Sequence, residues 1–432
     1  DSKMNRKIFV HIFMLITVSM SQVDGQELLT IQDAVNIAVE NNHGILVSRN
    51  NESVSRNNIH LGNAGMLPKI DIVASTYYND NEIETLTGTA NQSVTSNAAS
   101  IQVSYNIFNG FADLYGYKKL INSGEMSSLQ ARATIENTIF QVSSAYFDVA
   151  RAMESMKIAK EALAISNERL ERAKNRSFYG QANSIDVLSA QVDLNADSVS
   201  FVNTQLTLDR AERNLNLLLN RPLDERFTVN SNVSFNREYN IEELLENGQK
   251  FNASFLIQSA QLKQSTFDQK IAVSAYMPQL NLQSSYGYND LNDELNINLD
   301  APDRNFQVGL SVSINLFNGF QNNIRMQNAG IEVKSQQLLM DENLKILNTE
   351  LTNTWQTYKN SLYILDIQRR NLSSAELNFE RTKELYNLGQ VTTTQFREAQ
   401  LNLIRARNDI ITARFDAKLN EIELLRLSGQ LI

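Results

Sequence analysis

Chemistry on a protein needs particular side chains at particular spacings, and this sequence offers few such sets. It contains no cysteine, which excludes disulfides, thiolate nucleophiles and cysteine metal centres. Its three histidines, His11, His43 and His60, show no ligand spacing with one another or with carboxylates. There is no Walker loop, no G-x-S-x-G elbow and no dinucleotide fingerprint. Carboxylates are numerous, but along polar helix faces they are solvated charges. No catalytic residue, metal or cofactor is expected, and the chain does not read as an enzyme. A formal net charge of −9, without any basic stripe, also excludes a general nucleic-acid binder.

The residues that do stand out are punctuation, and they occur twice. Asn106-Ile107-Phe108-Asn109-Gly110-Phe111 recurs as Asn315-Leu316-Phe317-Asn318-Gly319-Phe320, a shift of 209. Leu67-Pro68 recurs as Met277-Pro278, shifted by 210. Gly180-Gln181 recurs as Gly389-Gln390, and Ala190-Gln191 as Ala399-Gln400, both shifted by 209. Such agreement over most of each half identifies a tandem duplication. The halves run over 26–223 and 239–432, with a connecting segment at 224–238.

The elements that position these turns are long helices. Only four prolines and sixteen glycines interrupt 432 residues, which favours uninterrupted elements. Ile139, Val142, Tyr146, Val149, Met153 and Met156 step by three and four along one helix face. The same stripe returns 209 residues on as Asn348, Leu351, Trp355, Tyr358, Leu362 and Leu365. A strict seven-residue step links Val187, Leu194, Phe201, Leu208 and Leu215, copied at Phe396, Leu403, Ile410, Ala417 and Leu424. Sustained heptads mark helices that coil around partners. Each half therefore contains a long helical hairpin, turning near residue 180 in the first and near 389 in the second.

Between the helices lie segments with a period of two. Strands are expected at about 69–80, 99–108, 279–288 and 305–317, each pair preceded by a helix-stopping proline. Their polar faces are mostly Ser, Asn and Gln, opposite an apolar row. Their length suits a tilted membrane-crossing strand of about 9–11 residues. Acidic, polar connections at 79–98 and 289–304 are expected to join them. A soluble antiparallel sandwich is the alternative. If the strands cross a membrane they must close into a barrel, because open edges leave backbone groups unpaired. Four strands cannot close alone, the smallest barrels having about eight. Two, three or four copies would supply 8, 12 or 16 strands, and spacing does not choose among them. At the N-terminus, Lys3, Arg6 and Lys7 precede an apolar run from Ile8 to Met20, so residues 1–25 read as a signal peptide. Without a cysteine no lipid anchor is expected.

Taken together, the duplicated halves, paired strands and two hairpins resemble the TolC-like outer-membrane efflux protein family. The most specific match is the first turn, Gly180-Gln181-Ala182-Asn183-Ser184-Ile185-Asp186-Val187-Leu188 with Ala190-Gln191. The second turn, from Tyr386 through Gly389-Gln390 to Ala399-Gln400, matches more loosely. The resemblance implies an α+β protomer, mainly long helices. It contributes four strands to a trimeric 12-stranded outer-membrane β-barrel, two hairpins to a periplasmic α-barrel, and the segment at 224–238 to an equatorial belt around that α-barrel. It implies a Gram-negative outer membrane and a homotrimer. A periplasmic adaptor would dock at the tips (Gly180, Gln181, Ser184, Gly389, Gln390, Thr392), coupled to an inner-membrane pump. The expected function is a passive exit duct for small toxic molecules or secreted products. A soluble periplasmic coiled-coil scaffold or an adaptor is the competing reading. In the member that gives the family its name, a tyrosine and an arginine hold the tip closed and two carboxylates line it. Here the tyrosine is Tyr386, the arginine position is Val391, and the carboxylate positions are Gln395 and Glu398. Asp186 keeps an acid beside the first turn. Asp186, Tyr386, Gln395 and Glu398 are thus the aperture candidates.

Overall fold

The computed structural model describes residues 27–85, 88–180, 183–293 and 303–432. The signal-peptide segment and Gln181 lie outside the described residues. Two helices of 67 residues dominate, α3 (Ala112–Phe178) and α7 (Gln321–Asn387). At 1.5 Å per residue each runs about 100 Å. Each is followed by a shorter antiparallel helix, α4 (Ser184–Leu219) or α8 (Thr393–Leu427). Two further short pairs complete the helices: α1 (Ile31–Asn41) with α2 (His43–Asn57), and α5 (Ile241–Phe251) with α6 (Ala253–Ser274).

The repeated Asn-Gly-Phe motif starts both long helices. Gly110 and Phe111 have φ of 69° and 71°, and Gly319 and Phe320 have 65° and 64°. Two successive left-handed residues swing the chain from strand into helix. The asparagine in front then accepts a hydrogen bond from the helix, Asp113 N to Asn109 Oδ1 at 3.2 Å and Asn322 N to Asn318 Oδ1 at 3.3 Å. At Gly110 a Cβ would also lie 2.4 Å from the Ser274 carbonyl oxygen, so only glycine fits.

Helix order changes along the long axis. Near the tips the sequence of neighbours is α4–α3–α8–α7, and near the sheet it is α2–α3–α6–α7. The long helices run through both levels while the short ones meet end to end. Each meeting point is bridged by one asparagine. Asn42 accepts from Gly44 N at the start of α2 and donates to Leu218 O at the end of α4 (2.9 Å each). Asn252 accepts from Phe255 N (2.9 Å) and donates to Leu427 O (3.0 Å), joining α6 to α8.

Around this level runs a belt. Strand β1 (Glu27–Leu29) pairs in parallel with β4 (Phe227–Val229). The Tyr146 hydroxyl accepts from Asn230 N at 2.9 Å and donates to the Leu29 carbonyl at 3.0 Å. In the second half Trp355 donates to Tyr239 O (3.1 Å) and Tyr358 to Asn236 O (2.5 Å). Thus the stripe residues Tyr146, Trp355 and Tyr358 anchor the belt as well as the core. Burial, then the neighbouring Glu421 carboxylate, pushes the Tyr239 hydroxyl up to about 12.

The sheet is antiparallel in the order β2–β3–β5–β6, with β2 Lys69–Thr85, β3 Gly88–Asn109, β5 Gln279–Asp293 and β6 Asp303–Ser313. Three strands are longer than their alternation indicates. The stretch 79–98, expected as a connection, continues the ladder from Asn79↔Val94 to Thr85↔Gly88. Its residues are polar on both faces, so they carry no period-two signal, yet the backbone pairs in register. β5 likewise continues to Asp293, and β6 begins at Asp303. β6 in turn stops at Ser313, short of the expected 317, because its partner β5 begins opposite it at Gln279, just after Pro278. β3 reaches Asn109 past a bulge at Ile107.

One row crosses all four strands: Ile72 pairs with Ile101, Ile101 with Tyr286, and Tyr286 with Phe306. These side chains are 79%, 47%, 53% and 67% exposed. The next row, Asp71, Gln102, Ser285 and Gln307, is on the opposite face and lines a concavity of about 390 Å³. The sheet therefore curls toward its polar side and presents the apolar one outward. Its outer edges, on β2 and β6, have no strand partner among the described residues.

The helix joints give a direct test. Asn252→Asp keeps the capping acceptor for Phe255 N but removes the donor to Leu427 O and sets a carboxylate against it. If the joint matters, N252D should lose about 1–3 kcal/mol of stability, comparable to N252A, in thermal melts of the purified protein. Melting like wild type would leave Asn252 as a simple cap.

Candidate functional site

Apart from Gln181, which is outside the described residues, every predicted site residue lies at the two hairpin tips. Gly180 and Gly389 have φ of 71° and 76°, which glycine adopts without penalty. Gly389 N donates to Tyr386 O and Gln390 N to Leu385 O (3.1 and 2.9 Å), closing the end of α7. Asn183 caps α4 by accepting from Asp186 N at 3.0 Å. Ser184 is exposed and Asp186 half-buried in the first turn of α4, where an acid favours the helix dipole. At the second tip Thr392 and Gln395 form a capping box: Gln395 N donates to Thr392 Oγ1 (3.3 Å) and Thr392 N to Gln395 Oε1 (2.9 Å). Gln395 is thus occupied in building the turn. Glu398 is exposed and makes no salt bridge among the described residues.

Tyr386 is only 8% exposed. Its ring stacks on Phe396 at 4.7 Å, and Phe379, Ala399 and Leu403 complete the cluster, with Val391 packed against it. The cation beside Tyr386 is Arg172 of α3, 5.9 Å from the ring centroid. Arg172 also donates to Asn387 Oδ1 and, at 3.0 Å, to Glu168. Tyrosine and arginine therefore do meet at the tip, but the arginine comes from the other hairpin and not from position 391.

Above the tip, a seam of charges joins the hairpins. Arg397 of α8 makes two hydrogen bonds to Asp197 of α4, at 2.7 and 2.8 Å, and approaches Asp193 at 3.5 Å. Ser166 donates to Asp197, and Arg169 pairs with Asp193. Burial alone would lower the Arg397 guanidinium, but the bonds and charges of Asp197 and Asp193 hold it above its ordinary value. Farther up, Arg407 pairs with Glu161 (2.8 Å), Arg414 with Glu154 (3.1 Å) and Asp416 with Arg151 (2.7 Å). Sequence reasoning missed this seam, although Glu154/Glu161 and Arg407/Arg414 carry a matching seven-residue step. The partners lie 200 or more residues apart in most rungs, which no local pattern reveals.

His43 and His60 stay apart from the tips, and His11 lies outside the described residues. His43 begins α2, and His60 Nδ1 accepts from Gly62 N at 3.0 Å in a local turn. Among the described residues no group of three or more His, Cys, Asp and Glu could hold a metal ion.

A family model described as "Outer membrane efflux protein" matches residues 34–221 and again 242–430. The outer membrane protein TolC of Vibrio cholerae is 22% identical over 311 residues, covering 70% of each chain. The cation efflux system protein CusC of Escherichia coli is 21% identical over 330 residues, 73% of this chain and 70% of that one. In structure, the Campylobacter jejuni CmeC outer membrane channel superimposes with a TM-score of 0.79 at 15% identity, over 93% of this chain and 86% of that chain. The two matched segments fall on the two repeats described above, and the chain belongs to the outer membrane efflux protein family.

Proposed function

We propose that this protein works as a homotrimeric exit duct whose aperture is set at the hairpin tips. The outer-membrane location and the efflux role come with the family, which is one of channels and not of enzymes; stoichiometry, partners and gate are the parts proposed. The observation that carries the reading is an unmet repeat equivalence. Within the chain, Ile411 and Phe415 of α8 pack in the core with α3. Their counterparts 209 residues earlier, Val202 and Leu206 of α4, are exposed, as are Ile185, Leu188, Val192 and Val199 on the same heptad face. On the other flank, Tyr363, Ile364 and Ile367 of α7 are exposed, whereas their α3 counterparts Glu154 and Ser155 bond Arg414 and Asn408 of α8 and Ile158 joins the core cluster of Ile411. Placing α4 of one copy on α7 of the next satisfies both faces and brings the β2 edge to a β6 edge. This contact is head-to-tail, which forms a ring when its rotation closes, and a membrane sheet demands that closure because its edges cannot stay unpaired in lipid. Three copies give 12 strands, an even number within the range of known barrels.

The tips then project away from the barrel, with Gly180, Ser184, Gly389, Gln390 and Thr392 outermost and available, with Gln181, to a periplasmic adaptor coupled to an inner-membrane pump. Asp186 and Glu398, beside the turns, are the acids that a narrow opening would present.

Three measurements test this reading. On gels run unheated the protein should migrate as a trimer and, reconstituted in planar bilayers, should conduct; a monomer with no conductance would sink the duct. Val199→Asp replaces a side chain that is 61% exposed in a single copy, which ordinarily changes stability by no more than about 0.5 kcal/mol. In the ring it buries a charge, so V199D should lower the temperature at which the trimer band dissociates by many degrees, and an unchanged band would refute the α4–α7 contact. Glu398→Gln should move the reversal potential toward lower cation selectivity, whereas no movement would return Glu398 to an ordinary solvated charge.

A further inference from the structure

Between the first hairpin and the tip of the second lies a cavity of about 20 Å³. Glu168, Arg169 and Arg172 of α3, Lys383 and Tyr386 of α7 and Phe396 of α8 line it. That volume holds one water molecule or one monatomic ion. The Arg169 side chain is 1% exposed, and its Nη2 donates to Asp193. Its Nε and Nη1 are buried with no acceptor among the described residues. Buried donors left unpaired on a charged group are costly, so two on one guanidinium call for an acceptor from outside the chain.

The charge balance selects the kind of acceptor. Glu168 is taken by Arg172, and Asp193 is shared between Arg169 and Arg397, which also holds Asp197. Lys383 makes no salt bridge among the described residues. Four cations, Arg169, Arg172, Lys383 and Arg397, thus stand against three carboxylates, Glu168, Asp193 and Asp197. Water would accept the free N–H groups but leave the excess positive charge. A small anion satisfies both. Part of the wall is apolar, from Ile165 and the rings of Tyr386 and Phe396, and this raises the worth of a charge placed there. The small volume favours a monatomic anion over phosphate, sulfate or a carboxylate.

We propose that this cavity binds a single monatomic anion, chloride in ordinary buffers, with Arg169 as its principal ligand and Lys383 supplying countercharge. Because the lining comes from both hairpins, the anion would pin α3 of the first hairpin to the tip of the second. The site does not depend on whether the tips open a duct.

The experiment is diffraction from crystals of the whole protein soaked in bromide, with data collected at the bromine edge. The melting temperature is measured alongside, in chloride and in gluconate at equal ionic strength. An anomalous peak beside the Arg169 guanidinium is expected, together with melting a few degrees higher in chloride. Lys383→Gln, at a half-buried position that tolerates change better than Arg169, should weaken the peak and abolish the chloride dependence. Density refined as water with no anomalous signal overturns the proposal. So does a peak unaccompanied by any melting shift, which would mark an adventitious ion only. A protein that melts in a chloride-dependent way yet conducts nothing would remove the duct and leave this site standing.

Discussion

Everything in this molecule is subordinate to a sheet that is incomplete. Four antiparallel strands turn an apolar row outward and a polar concavity inward, and among the described residues their two outer edges end without strand partners. A single copy cannot satisfy that geometry in lipid, because each unpaired edge group costs several kcal/mol there. The helical half repeats the same condition. Its flanks, α4 on one side and α7 on the other, carry exposed apolar heptads where its interior contact carries none. Sheet and helices are therefore open at matching edges, β2 with α2 and α4, β6 with α7.

The division of labour between charge and apolar surface follows from this. Duplication supplies two equivalent hairpins, yet only the contact between them inside one chain is lined with arginine and carboxylate rungs. Arg397 occupies the position that Leu188 holds in the first half, and Asp197 the one that Ala406 holds in the second. Buried ion pairs contribute little net stability but penalise every misaligned register. They suit an internal seam, where one alignment of α3 and α8 must hold. The outer flanks leave apolar side chains of α4 and α7 exposed, the kind of surface whose burial is favourable.

How much of this could be read from the sequence depends on whether the signal was periodic. The long helices and their turns were legible because Gly180, Gly389 and two heptad stripes repeat at one offset. The core of each strand was legible where Ile, Val, Leu and Phe alternate with Ser and Gln. The far ends of β2 and β3 were not, because Asn79–Thr85 is polar on both faces and is held by backbone pairing. Of the belt, the segment between the halves came with the resemblance, but its strands β1 and β4 are three residues each, too short for any pattern. At the tips, Tyr386 was found by its position, but its neighbour Arg172 comes from the other hairpin and could only be seen once the chain was folded.

The paired asparagines, Asn42 and Asn252, bear on mechanics. Only α3 and α7 run unbroken from sheet to tip, and the flanking helices meet at one height. A wall assembled this way resembles planking with alternate full-length and butt-jointed boards. Bending would concentrate at the joints, and there each asparagine ties one board end to the next while the belt wraps the same height as a hoop. The result is a stave that resists buckling when pushed from the tip, yet keeps a defined level at which it can twist.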